Sequence, residues 1–199
     1  MAFVVESNFF WSFKTGDNVV YNLRILNYLY ELYNQGGDEN KKLLIKPIVI
    51  FISSVIEAIL HDFHSKIQGA RREGVASLTD DILNYIRGKS IDEFEKYIAS
   101  SRKHNLFDRN TEKFYDRLND LRLIRNRIHI QNTKCLKPED EDLVFREEVK
   151  ILAEKCAEIV LKVMSGKFYR PVRSGEDLYV PWDEHFPNLY LDRLHLLEF

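Results

Sequence analysis

The chain has 199 residues, 45% of them hydrophobic, enough for one substantial core and favouring one domain over two. Its formal net charge of −2 carries no global signature of nucleic-acid binding. Its two cysteines, Cys135 and Cys156, form neither a Cys-x-x-Cys pair nor a zinc-ligand spacing, so a reducing, cytosolic setting fits best.

The opening stretch MAFVVESNFFWSFKTGD lacks a basic n-region and a small-residue cleavage site, and Glu6 interrupts its apolar run, so it does not read as a signal peptide. Asp17 is predicted to cap a first helix over about 17–33, with Leu23, Leu26, Leu29 and Tyr30 as its apolar stripe and Gly36-Gly37 as its end. The run LLIKPIVIFISSVIEAIL at 43–60 approaches membrane-span length, but it contains Lys46, Pro47, Ser53, Ser54 and Glu57. It reads as the buried central helix of a soluble bundle, beginning near 41 or at Pro47 and ending near 68. Pro47 would either kink it or occupy its first turn.

Glu57, His61 and His64 fall at i, i+4 and i+7 on this helix. A carboxylate on an apolar face is costly to bury unpaired, so Glu57 is expected to meet an arginine, either Arg122 or Arg125. The Glu/His/His set could instead hold a metal, but no recognisable companion ligand accompanies it.

Residues 69–78 read as a polar connection, with a short helix after Thr79. Ser90-Ile91-Asp92-Glu93 fits a capping box opening a helix that runs to about Lys103. Thr111 can cap the next helix, over about 111–131, with Phe114, Leu118, Leu121, Ile124 and Ile128 as its buried stripe. Pro138 and the acids Glu139, Asp140, Glu141 and Asp142 suit the start of a last helix that reaches about Met164 and buries Val149, Leu152, Cys156, Ile159 and Val160. No alternating strand pattern and no internal repeat appear. The fold class is therefore all-α, a mainly antiparallel helical bundle with its core over about 17–166 and an aromatic-rich extension over 167–199. In that extension Trp182, Asp183, Glu184 and His185 could form a polar site, although Trp and Tyr more often anchor a tail by burying their rings.

The stretch LRLIRNRIHIQN, 121–132, concentrates chemistry near the end of its predicted helix. At about 100° and 1.5 Å per residue, Arg122 and His129 lie within about 20° of one line and about 10 Å apart along it, with Arg125 between them and Asn126 at the margin. Guanidinium groups grip phosphate through forked donors, and imidazole moves protons near neutral pH, so the set suits phosphodiester chemistry. A row of arginines on a helix is equally a solvated face or one side of salt bridges. Residues 101–134 hold nine basic and four acidic side chains, a local +5 that leaves the rest of the chain at −7. Such a patch could hold a polyanion by counterion release or be merely a solvated face. Neither a phosphate-cradling glycine loop nor a Gly-x-Ser-x-Gly elbow is present, so nucleotide hydrolysis and acyl transfer have no support.

Three stretches resemble the HEPN superfamily of small all-α domains: SSVIEAILHDF (53–63), IDEFEKYIASSRKHNLF (91–107) and LNDLRLIRNRIHI (118–130). In that family an Arg is followed, after four to six residues, by a His near the end of a core helix. Here Arg125-Asn126 precedes His129 by two intervening residues where the commonest family form has three, and position 130 is Ile. Arg122 satisfies the count with six residues intervening. The family's phosphate-binding Arg thus carries over to Arg122 by count and to Arg125 by its Asn neighbour, and the catalytic His to His129 only. The resemblance implies a metal-independent ribonuclease or RNA-targeting, toxin-like protein, with no cofactor and with two protomers sharing one RNA cleft. His129 would then act in acid-base catalysis, Arg122 or Arg125 on phosphate charge, Asn126 on phosphate or a neighbour, and Glu57 in support. It also implies a homodimer in the cytoplasm of a microbe, without membrane attachment, open to an inhibitory partner protein as in toxin-antitoxin or phage-defence systems. Other members use the fold without cleavage, as dimerisation or regulatory modules.

Overall fold

The computed structural model describes residues 9–70, 78–109, 113–129 and 140–168, and among these every regular element is helical. The elements are α1 (Phe13–Gln35), α2 (Asp38–Gly69), α3 (Asp80–Arg87), α4 (Phe94–Lys103), α5 (Phe114–Arg125), a 3₁₀ turn (Asn126–Ile128), α6 (Glu141–Val144) and α7 (Glu147–Lys167). The chain is all-α in these regions, as its patterning predicts. Thr111, Cys135, Pro138, Glu139 and the Trp182 to His185 group lie outside the described residues.

The 32-residue α2 is the central element, and α1, α3, α4, α5 and α7 all pack on it. By length and composition it could cross a membrane. Half of its apolar stretch is buried inside the bundle, and the helix buries among others Ile48, Val49, Ile52, Ile56, Ile59, Leu60 and Ile67. The helix continues through Pro47, which stands well inside it rather than in its first turn. Proline cannot donate to the carbonyl of residue 43, and Leu43 is 76% exposed, so water can take that bond instead.

Three contacts orient the long helices. The buried Asp62 carboxylate, near the end of α2, accepts from the N–H groups of Trp11 (2.5 Å) and Ser12 (2.9 Å) at the start of α1, so the two helices are antiparallel. Glu147 and Glu154 of α7 accept from Tyr33 and Tyr30 late in α1, while Lys66 late in α2 donates to the Phe168 carbonyl just past α7. Helix α7 therefore runs parallel to α2 and antiparallel to α1.

Several helix boundaries differ from expectation, each for a local reason. The first helix is capped by Ser12, whose hydroxyl accepts from the Thr15 N–H, and Asp17 lies inside it. It does end at Gly36, but with φ −78° rather than in the left-handed region. A Cβ at Gly36 would stand 3.1 Å from both Asn40 Cβ and the Leu32 carbonyl oxygen, so the small residue is needed for close approach of α2. The capping box at Ser90 does not form. Asp92 instead takes a salt bridge from Lys96 (2.6 Å), the Ser90 hydroxyl turns to Asp92, and α4 begins only at Phe94. The predicted last helix is interrupted at Phe145 and Arg146, dividing α6 from α7. At the end of α2, Arg87 donates to the carbonyls of Ile67 (3.0 Å) and Ala70 (2.7 Å), groups that a helix terminus leaves without internal partners.

Candidate functional site

Helix α5 carries the arginine motif. Its Phe114, Tyr115, Leu118 and Leu121 are buried, and it packs on α2, α4 and α7. The α-helix stops at Arg125, however, and tightens into 3₁₀ geometry over Asn126–Ile128. The Asn126 side-chain oxygen accepts from Arg125 Nη1 at 3.4 Å. His129 then takes extended backbone, φ −86° and ψ 98°, its N–H donating to the Asn126 carbonyl at 3.3 Å.

Two expectations change as a result. A 3₁₀ segment turns about 120° per residue, so the single helical face drawn from Arg122 to His129 does not continue past Asn126. Ile128, expected in the buried stripe, is 48% exposed, and His129 is exposed as well.

The two motif arginines lie against different helices. Arg125 Nη2 meets Glu57 Oε2 of α2 at 2.5 Å, the side chains being 29% and 26% exposed. Arg122 donates from Nε to the Asn119 side-chain oxygen at 3.0 Å and places Nη1 3.3 Å from Glu95 Oε2 of α4, and its side chain is only 14% exposed. Glu57 thus has the guanidinium partner that its burial demands, and that partner is Arg125.

One turn along α2 from Glu57, His61 Nδ1 lies 2.7 Å from the Tyr97 hydroxyl of α4. Burial foremost, and then the carboxylates of Asp92 and Glu57, push the Tyr97 phenol above its ordinary range, so its proton is retained. On its other side Tyr97 packs on the His64 ring, centroids 5.0 Å apart. His64 is fully buried, its Nδ1 lies 2.7 Å from the Leu60 carbonyl oxygen, and burial lowers its pKa to about 4.

Glu57, His61 and His64 therefore have three separate partners. Among the described residues no group of three or more His, Cys, Asp or Glu side chains is placed to hold a metal ion.

Tyr97 is the member of the site that sequence reasoning missed. The aromatic stands in a stretch read only as a helix of the family resemblance, and its role depends on α4 packing on α2. Also unforeseen is a buried charged cluster at the α1–α7 contact. There Lys150 lies 2.9 Å from Glu147 and 3.2 Å from Glu154, and both acids accept from tyrosines of α1.

Four arginines of the basic segment form ion pairs, two with acids inside it and two with acids outside it. Arg102 pairs with Asp116, Arg117 with Asp120 at 3.7 Å, Arg122 with Glu95 and Arg125 with Glu57. Glu95 and Glu57 offset only part of the local positive surplus, and the α2–α4–α5 corner holds Glu57, His61, Tyr97, Arg122 and Arg125. Comparison of the chain with protein-family models, characterised proteins and solved structures returned no significant match.

Proposed function

We propose that the chain is a HEPN-like domain acting as a metal-independent endoribonuclease of RNA-targeting, toxin-like character. The observation that carries this reading is Arg125, held by Glu57 at the end of a core helix and followed directly by Asn126 and an exposed His129. Arg125 is the better phosphate ligand of the two arginines. Each has two described polar partners, but the Arg125 side chain is 29% exposed against 14% for Arg122.

In the proposed reaction a base removes the ribose 2′-OH proton, the 2′-oxygen attacks phosphorus, and the bond to the 5′-oxygen breaks as an acid protonates it. The products are a 2′,3′-cyclic phosphate and a 5′-hydroxyl. His129 supplies one of these proton transfers, and Arg125 offsets the charge that builds on the phosphate oxygens.

A second copy would double the donors facing one strand. A groove of about 270 Å³, lined by Leu123, Ile124 and Leu143 among others, offers it an apolar seat beside α5. An inhibitory protein could occupy the same seat.

The test is cleavage of single-stranded RNA by the purified protein in EDTA. The wild type is expected to cut, and His129→Ala to lose activity with an unchanged melting temperature, because truncating an exposed side chain leaves no cavity. Unfolding of the variant would mark His129 as structural.

A second reading has its own support. Both motif arginines are already engaged by carboxylates, as expected of a non-catalytic dimerisation or regulatory module. A wild type that leaves a broad RNA panel uncut would select that reading, and Arg122→Ala should then weaken dimerisation or partner binding.

A further inference from the structure

We propose that His61, oriented by Tyr97, is the general acid of the Arg125 site, protonating the 5′-oxygen that leaves when a phosphodiester is cut. The assignment rests on the nuclease reading above and deepens it, since a metal-independent transesterification needs an acid as well as a base, and His129 can fill only one of these roles at a time.

Three observations converge on His61. It is exposed, on the surface of an otherwise heavily buried helix. It stands at i+4 from Glu57, and such neighbours have Cβ atoms about 6 Å apart on one helix face, so it neighbours the carboxylate that Arg125 meets. Its Nδ1 is taken by a hydroxyl from a different helix, at 2.7 Å.

The Tyr97 hydroxyl engages Nδ1, so Nε2 is the ring nitrogen left for substrate. Tyr97 is buried, keeps its proton, and has His61 as its polar partner among the described residues. With the neutral ring the phenol donates to Nδ1, which places the ring proton on Nε2. With the imidazolium the hydroxyl rotates and accepts from Nδ1–H, and Nε2 again carries a proton. In the imidazolium, with Nδ1–H held by the Tyr97 oxygen, Nε2–H is the proton available to be given up, which suits an acid.

In the step itself the imidazolium Nε2–H passes to the 5′-oxygen as the phosphorus–oxygen bond breaks. The electron pair of that bond stays on oxygen, and the ring is left neutral with its proton on Nδ1, still held by the Tyr97 oxygen. His129 takes the 2′-OH proton. Tyr97 touches no substrate and is a positioning residue.

The experiment compares wild type, His61→Asn and Tyr97→Phe on two forms of one RNA, one natural and one with sulfur replacing the 5′-oxygen at the scissile bond. A thiolate leaves without being protonated, so an acid is dispensable there. On the natural RNA, His61→Asn is expected to be slower by about 100-fold or more and Tyr97→Phe by about tenfold, while both stay within a few-fold of wild type on the sulfur form. Equal slowing on both substrates, or wild-type rates on both, overturns the acid role while leaving the nuclease reading in place. Wild-type protein inert toward both substrates overturns the nuclease reading and the acid assignment with it.

Discussion

Glu57 Oε2 and Arg125 Nη2 stand 2.5 Å apart across the contact between α2 and α5, each side chain about three-quarters withdrawn from solvent. The pair couples the centre of the longest helix to the last turn of the motif helix. It sets where the guanidinium points and also offsets its charge, two effects that oppose each other in binding a phosphate.

Glu57→Gln should separate them. The amide can still accept a hydrogen bond but no longer offsets the charge, so RNA is expected to bind more tightly at low salt. Looser aim of Arg125 should lower kcat by about tenfold. A partly exposed pair of this kind contributes about 1 kcal/mol, so a small fall in stability should accompany the change. Parallel kcat and KM measurements, with urea denaturation, check it.

His64 makes stability depend on pH. Its folded pKa, about 4, lies below the ordinary value of 6.5 because burial disfavours the imidazolium. The unfolded chain therefore binds a proton at higher pH than the fold does. The stability that a neutral buried His64 contributes is present above pH 6.5 and is lost as pH falls toward 4, by roughly 3 kcal/mol over that window. His64→Phe keeps a ring beside Tyr97 and should flatten this limb. Denaturation midpoints at pH 7 and pH 4.5 for the two proteins give the comparison.

Asp62→Ala should destabilise the bundle by about 2–3 kcal/mol, since it strips a buried carboxylate from the amides of Trp11 and Ser12 at the start of α1. Because this contact ties the start of α1 to α2, hydrogen exchange is expected to quicken first in the opening turns of α1. Uniform quickening along the chain would show that the cap does not act locally.

Much of this architecture is legible in the chain itself, because helical periodicity and helix breakers act over a few residues. The apolar run around Ile48 to Leu60, the stop at Gly36 and the short helix after Thr79 follow from side chains within a turn or two of one another. So does the demand that Glu57 find a cation, since a carboxylate on an apolar helix cannot remain unpaired. What the chain could not specify are choices among distant partners. Arg122 matches the motif by count and Arg125 by its Asn neighbour, and only the packing of α5 on α2 and α4 assigns the first to Glu95 and the second to Glu57. Tyr97 reaches His61, and Asp62 holds the amide of Ser12 fifty residues away, through contacts with no sequence period. Local patterns are short-range free energies that recur along the chain, whereas ion pairs and caps between helices depend on which surfaces meet, and that is decided only when the whole core packs.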